Sequence, residues 1–267
     1  MQSPFSMDGR RALVTGASMS IGRSLALAFA DHGAAVAIHH SAAADERAGL
    51  GDAARATLDE AKRRGVDACL VDVDLAPVGS GRRVVESAIR HLGGVDILVV
   101  CASIQQRTPF LDVTADEIDR QVAIDFRATI ELLQAALPPM RERGWGRVLT
   151  IGSINQARPA PDLAVYAALK AAQQNLCVNL ARQYAAHGVM INNLAPGLVA
   201  TERNRWRRAD MDDWKRIEAT VAAPMGRAAL PDEMVGAALL LCSDAASYIA
   251  GVDLMVTGGA HLPHAGG

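Results

Sequence analysis

The run Leu13-Val14-Thr15-Gly16-Ala17-Ser18-Met19-Ser20-Ile21-Gly22 decides how this chain is read. An apolar strand (12–15) enters a glycine-bearing turn. An amphipathic helix leaves it, with Ile21, Leu25 and Phe29 on one stripe and Gly33 at its end. Gly16 permits the tight turn, Gly22 lets helix and strand approach, and the N–H groups that open a helix attract phosphate oxygens. Strand, glycine turn and helix in that order form the unit that binds a dinucleotide.

The same alternation continues outward. Runs at 35–38, 68–73, 97–101, 147–151, 190–194 and 254–256 read as further strands. Stretches 21–32, 53–64, 82–91, 115–140, 163–187 and 231–241 read as helices. Several strands are apolar throughout, which suits strands covered on both faces. The pattern predicts an α/β chain with a doubly wound, mostly parallel seven-stranded sheet, a Rossmann fold. No linker or repeat divides it, so residues 8–267 form one domain after a flexible leader at 1–7. Segment 41–64, with Gly49 and Gly51, reads as an irregular entry followed by a surface helix. Segment 201–216, rich in Arg and Asp with Trp206 and Trp214, reads as a mobile helical lid.

Of the 267 residues, 50% are hydrophobic and 21% charged, with a net charge of −2. That balance suits a small-molecule substrate and gives no reason to expect nucleic acid or a membrane as partner. Cys69, Cys101, Cys177 and Cys242 form no C-x-x-C pair and read as core residues, and no metal site is expected. An N-terminus without an apolar run points to the cytoplasm.

Three residues carry chemistry. Tyr166 and Lys170 are four apart on one helix, so both project from one face. Ser153 follows the strand at 147–151, at the carboxyl end of the sheet where such folds bind ligands. A phenol is a poor base at neutral pH, but a neighbouring ammonium favours its ionised form. A serine hydroxyl can hold a substrate oxygen beside it. Asp162 is the expected cap of the tyrosine helix.

The glycine turn, Ser153, Tyr166 and Lys170 together resemble the short-chain dehydrogenase/reductase family, from about Arg11 to Ala260. The resemblance implies NAD(P)-dependent hydride transfer between an alcohol and a ketone, with Ser153 positioning the substrate oxygen, Tyr166 as acid/base and Lys170 also holding the nicotinamide ribose. Asn192-Asn193-Leu194-Ala195-Pro196-Gly197 resembles the family's segment after its sixth strand. By that resemblance the cofactor would be held by Gly16, Ser18, Ser20, Ile21, Gly22, Asp74, Leu75, Ala102, Ser103, Pro196, Gly197, Val199 and Thr201, beside Tyr166 and Lys170. Asp72 competes with Asp74 for the adenine.

Three positions depart from the family. Ser20 replaces its middle glycine and is expected to act as a helix cap. Val100-Cys101-Ala102-Ser103 replaces N-N-A-G, leaving backbone contacts to line the cofactor. Asp125 stands where the fourth catalytic residue, an asparagine, would hold a water linked to the lysine. The strand end Ile38-His39-His40-Ser41 lacks the acid that favours NAD, and His40 and Ser41 could donate to a 2′-phosphate. NADP(H) is therefore favoured over NAD(H). Asn155, Gln156, Asn204 and Trp206 are the candidate substrate residues and suit a sugar, polyol or hydroxy acid. The alternatives are a nucleotide-binding sensor without turnover, a 3-oxoacyl-type ketoreductase, and an epimerase or dehydratase on the same fold. Family members commonly form tetramers or dimers, so self-association is expected.

Overall fold

Alternate residues of the central strands enter opposite layers, which is why those strands are apolar without interruption. Ala12 and Val14 join one core with Ile97 and Val99, while Leu13 joins the other with Leu98 and Val100. The computed structural model describes residues 3–221 and 224–263. Its strands are β1 (Arg11–Val14), β2 (Ala35–His40), β3 (Ala68–Asp72), β4 (Ile97–Val100), β5 (Gly146–Ile151), β6 (Val189–Pro196) and β7 (Asp253–Val256). They form one sheet in the order β3-β2-β1-β4-β5-β6-β7, with every pairing parallel. The order reverses between β1 and β4, and that opens a crevice at the carboxyl ends of the strands.

Helices α1 (Ser20–Asp31), α2 (Ala42–Arg47), α3 (Ala53–Arg63), α4 (Ser80–Leu92), α5 (Ala115–Gln121), α6 (Ala128–Arg143), α7 (Ala164–Tyr184), α8 (Met211–Val221) and α9 (Val235–Cys242) complete the fold. Leu25 and Phe29 of α1 share a core with Leu239 and Cys242 of α9. Val84 of α4, Leu132 of α6 and Cys177 of α7 fill the opposite layer.

Three expectations change. The helix expected over 115–140 is two helices joined by a π turn, Val122–Arg127. Its inserted residue re-aims the side chains there, a device concentrated at functional sites. The entry expected to be irregular contains α2. Part of the supposed leader is anchored: Met7 is buried in the core, and its N–H donates to the His32 carbonyl. The Pro4 carbonyl likewise accepts from Ala245 N–H. Residues 1 and 2 lie outside the described residues.

Two glycines set the β1–α1 turn. Gly16 has φ +64°, and a Cβ there would lie 2.9 Å from Ala102 Cα across the crevice. A Cβ on Gly22 would lie 2.1 Å from the Gly16 carbonyl oxygen, so the first turn of α1 rests directly on the loop. Gly22→Ala should therefore cost about 1–3 kcal/mol of stability, the range for overpacking a tight contact. Urea unfolding checks this, and an unchanged midpoint would show that the approach is not needed.

Candidate active site

One cavity of about 990 Å³ occupies the crevice. It is lined by Ser153, Tyr166 and Lys170 and by all the proposed cofactor residues: Gly16, Ser18, Ser20, Ile21, Gly22, His40, Ser41, Asp74, Leu75, Ala102, Ser103, Pro196, Gly197, Val199 and Thr201. The three chemical side chains are buried. Asp74 lines the cavity, whereas Asp72 accepts from the Ala42 N–H at the strand edge.

The serine is held to donate. Its Oγ accepts from Asn155 N–H (3.2 Å) and from Asn155 Nδ2 (3.1 Å), which directs its own proton towards another acceptor. Lys170 is fixed in the same way: its Nζ donates to the Ile151 carbonyl at 2.8 Å, and Gln173 bonds the same carbonyl. That Nζ lies 5.7 Å from the centroid of the Tyr166 ring. Strand β5 thus aligns serine and lysine, while one turn of α7 separates lysine from tyrosine.

Gln156 is a correction. It does not line the cavity, because its amide is engaged behind Ser153: Nε2 donates to Asp253 (2.6 Å) and Oε1 accepts from Ser153 N–H (3.3 Å). Asn193 joins this network through Asp253 and Thr150. Asn204 lines the cavity, but its Oδ1 accepts from Thr201 N–H and its Nδ2 donates to the Val199 carbonyl, so it shapes the lid turn instead of offering a free amide. Trp206 lines the cavity and is 69% exposed. Asp162 pairs with Arg107 and does not cap α7, whose N-cap position is Leu163.

Ser20 is not a cap either. It is the first residue of α1 and has φ +52°, so it occupies the region in which a glycine costs least. Its hydroxyl accepts from Glu202 N–H and ties the turn to the lid. The lid is helical, a 3₁₀ stretch over Glu202–Ala209 followed by α8, with Trp214 and Ile217 packed against Leu198 and Ala200. Arg203 reaches back across the crevice to the Ser103 carbonyl.

Three residues passed over in the sequence organise this end of the sheet. Thr15 Oγ1 accepts from the N–H groups of Cys101 and Ala102. His39 accepts from Gly16 N–H and hydrogen-bonds the Val73 carbonyl, and burial pushes its pKa down to about 4, so it stays neutral. Asp45, five residues beyond β2, is buried and accepts from Ser18 Oγ (3.0 Å) while pairing with His40 Nδ1 (3.2 Å). Strand-end histidines resemble ordinary solvated residues in sequence, and a single Asp in a charged helix carries no signal. Of the four cysteines, Cys177 and Cys242 are buried, whereas Cys101 is half-buried and lines the cavity.

Asp125 lies behind the cavity wall, not on it. The π turn aims its Oδ1 at Ile104 N–H (2.8 Å), and its Oδ2 has no hydrogen-bond partner. Burial raises its pKa above the usual aspartate value, with Lys170 pulling the other way. A carboxyl that holds its proton more tightly in the folded chain loses stability as pH rises through that range. Asparagine has no such proton. Asp125→Asn should therefore gain stability relative to the parent as pH rises from about 4, the ordinary aspartate range, towards neutrality. Melting curves across that span check the sign, and a difference independent of pH would refute it.

The comparisons agree with this geometry. A family model described as enoyl-(acyl carrier protein) reductase matches residues 16–261. Gluconate 5-dehydrogenase of Gluconobacter oxydans is 35% identical, over 96% of each chain. L-rhamnose 1-dehydrogenase (NAD(P)(+)) of a Sphingomonas strain is 31% identical, over 96% of this chain and 98% of that one. A 3-oxoacyl (acyl-carrier-protein) reductase from Agrobacterium tumefaciens, solved with NADP bound, superposes with a TM-score of 0.89 at 40% identity, over 97% of each chain. The chain belongs to the short-chain dehydrogenase/reductase family of NAD(P)-dependent oxidoreductases.

Proposed function

We propose that this enzyme transfers a hydride between NADP(H) and a secondary alcohol or ketone on a sugar-like substrate, with Tyr166 as acid/base. The observation that carries this reading is one cavity lined by a phenol, an ammonium and a serine hydroxyl beside a glycine turn too tight for a Cβ. Gly16, the backbone at the start of α1, Ala102, Val199 and Thr201 would hold the dinucleotide. When bound, its nicotinamide accepts or supplies the hydride.

The remaining work falls to the chain's own side chains. Ser153, with Asn155 donating to it, directs its proton at the substrate oxygen. Tyr166 takes the proton from an alcohol being oxidised, or returns it to a ketone being reduced. Lys170 holds its ammonium 5.7 Å from the centroid of the phenol ring. Asp125 supports the β4 loop through Ile104 and faces that charge.

For the cofactor, His40 at the end of β2 and Ser41 and Arg47 beyond it line the cavity and would meet a 2′-phosphate. Asp45 lies among them, but its oxygens are already engaged by Ser18 and His40. That arrangement supports NADP(H). A neutral sugar and a sugar acid both fit the general reading, since relatives carry either name. The 3-oxoacyl name of the 40%-identical structure favours an acyl thioester as second reading. Exposed Ile118, Val122 and Val178 along α5–α7 support self-association as a dimer or tetramer.

One assay series tests the proposal: sugars, polyols, hydroxy acids and acetoacetyl-CoA, each with both cofactors, followed by nicotinamide absorbance. The sugar-like class should turn over best, and with a higher kcat/KM for NADP(H). Tyr166→Phe should lose about 10²–10⁴-fold in kcat, the usual worth of a positioned acid/base, while still binding cofactor. Full activity in that variant removes the mechanism. Preference for the thioester removes the substrate class, and preference for NAD(H) removes the cofactor assignment.

A further inference from the structure

The charges around the cavity are unevenly spread. Its lining acids, Asp45 and Asp74, follow β2 and β3, with Arg47 beside them. On the other half, beyond β4, β5 and β6, the lining includes Arg107, Arg120, Arg158, Arg203 and Arg207. Arg107 is neutralised by Asp162. Among the described residues no carboxylate forms an ion pair with the other four. Buried Lys170 adds a further positive charge, and Asp125 lies behind the wall and not on it. Like charges gathered in one cleft repel unless a ligand brings the opposite sign. The cofactor's pyrophosphate does so at the start of α1, within reach of the chain that carries Arg203 and Arg207.

Arg158 is placed differently. It lies on the turn after β5 that carries Ser153 and Asn155, five residues beyond the serine. Among the described residues only its Nη1 is engaged, donating to the carbonyls of Ala260 and Leu262. Those bonds hold the guanidinium in place without neutralising it. Its Nε and Nη2 make no hydrogen bond within the described residues. That edge is the one that matches both oxygens of a carboxylate.

We propose that the substrate is an acid, and that Arg158 binds its carboxylate through the Nε/Nη2 edge while Ser153 and Tyr166 address a hydroxyl further along the chain. This rests on the sugar-like reading above and narrows it to hydroxy acids of the aldonic type. A neutral sugar would leave the unpaired arginine edge facing water in the bound state.

The test compares D-gluconate with D-glucitol, which differ at the terminal carboxylate, and adds glucitol 6-phosphate as an anion of another shape. The aldonate should have the highest kcat/KM, and its KM should rise with ionic strength. Arg158→Met should shrink the acid-over-alditol ratio of kcat/KM by about tenfold or more, the scale of one charge-assisted hydrogen bond. Arg158→Lys, which keeps the charge and loses the fork, should fall between. The rise should lie in KM for the acid and not in KM for NADP(H). Arg158 as a mere brace for the chain end predicts instead a lower Tm and an equal loss on both substrates, and that result overturns the proposal. Equal use of acid and alditol by the parent enzyme overturns it too, as does preference for the phosphate, while the sugar-like reading survives in each case. Failure to turn over any of the three, with activity on the thioester, defeats the underlying reading itself.

Discussion

One hydroxyl bridges the place where the sheet changes direction and the crevice opens. Thr15 Oγ1 takes the N–H groups of Cys101 and Ala102, and its own N–H donates to the Val99 carbonyl. Strands β1 and β4 are thereby closed to each other at the level where their connections diverge to opposite faces. Gly16 must then pass within contact of Ala102, and only a residue without Cβ can do so. His39 fixes the same loop from the β2 side through Gly16 N–H, and its neutral ring lets it do this without bringing a charge into the fold. Cofactor cleft, helix α1 and lid all take their positions from that seam.

The seam also explains why the departures from the family pattern are tolerated. Where the family has asparagines after β4, this chain holds the segment by backbone bonds to Thr15 and by the Ser103 carbonyl, which receives Arg203 from the lid. Serine at position 20 carries a left-handed backbone, a cost of about 1–2 kcal/mol for an L residue. Its hydroxyl gains a bond that glycine could not make, to the Glu202 N–H of the lid. The turn and the lid are therefore joined directly in this chain, at a position where glycine would leave them separate.

Sequence periodicity revealed the layers because every central strand is covered twice, whereas the Ser153, Tyr166 and Lys170 set stood out only through its resemblance to the family's pattern, since a tyrosine and a lysine four apart on a helix carry little signal alone. Sequence reading failed where a side chain's role depends on a partner distant along the chain. Gln156 has the composition of a substrate residue, yet Asp253, 97 positions later, turns it away from the cavity. Asp45 is one acid in a charged helix until His40 and Ser18 enclose it. The π turn leaves no trace in hydrophobic spacing, because one inserted residue shifts the stripe by less than a helical face. Met7 looked like leader, since one apolar residue amid polar ones is not a pattern.

Asp125 and Arg158 show how the charge at the catalytic end is managed. Asp125 lies behind the wall near Lys170, where burial raises its pKa and the lysine's charge lowers it, and Ile104 N–H engages only one of its oxygens. Arg158 is anchored through carbonyl oxygens, and among the described residues its Nε and Nη2 have no hydrogen-bond partner. Carbonyl anchors orient a cation and leave its charge intact, whereas the carboxylate of Asp162 orients Arg107 and removes it. Two arginines of one cavity wall are thus held differently: Arg107 by a carboxylate, and Arg158 by carbonyl oxygens.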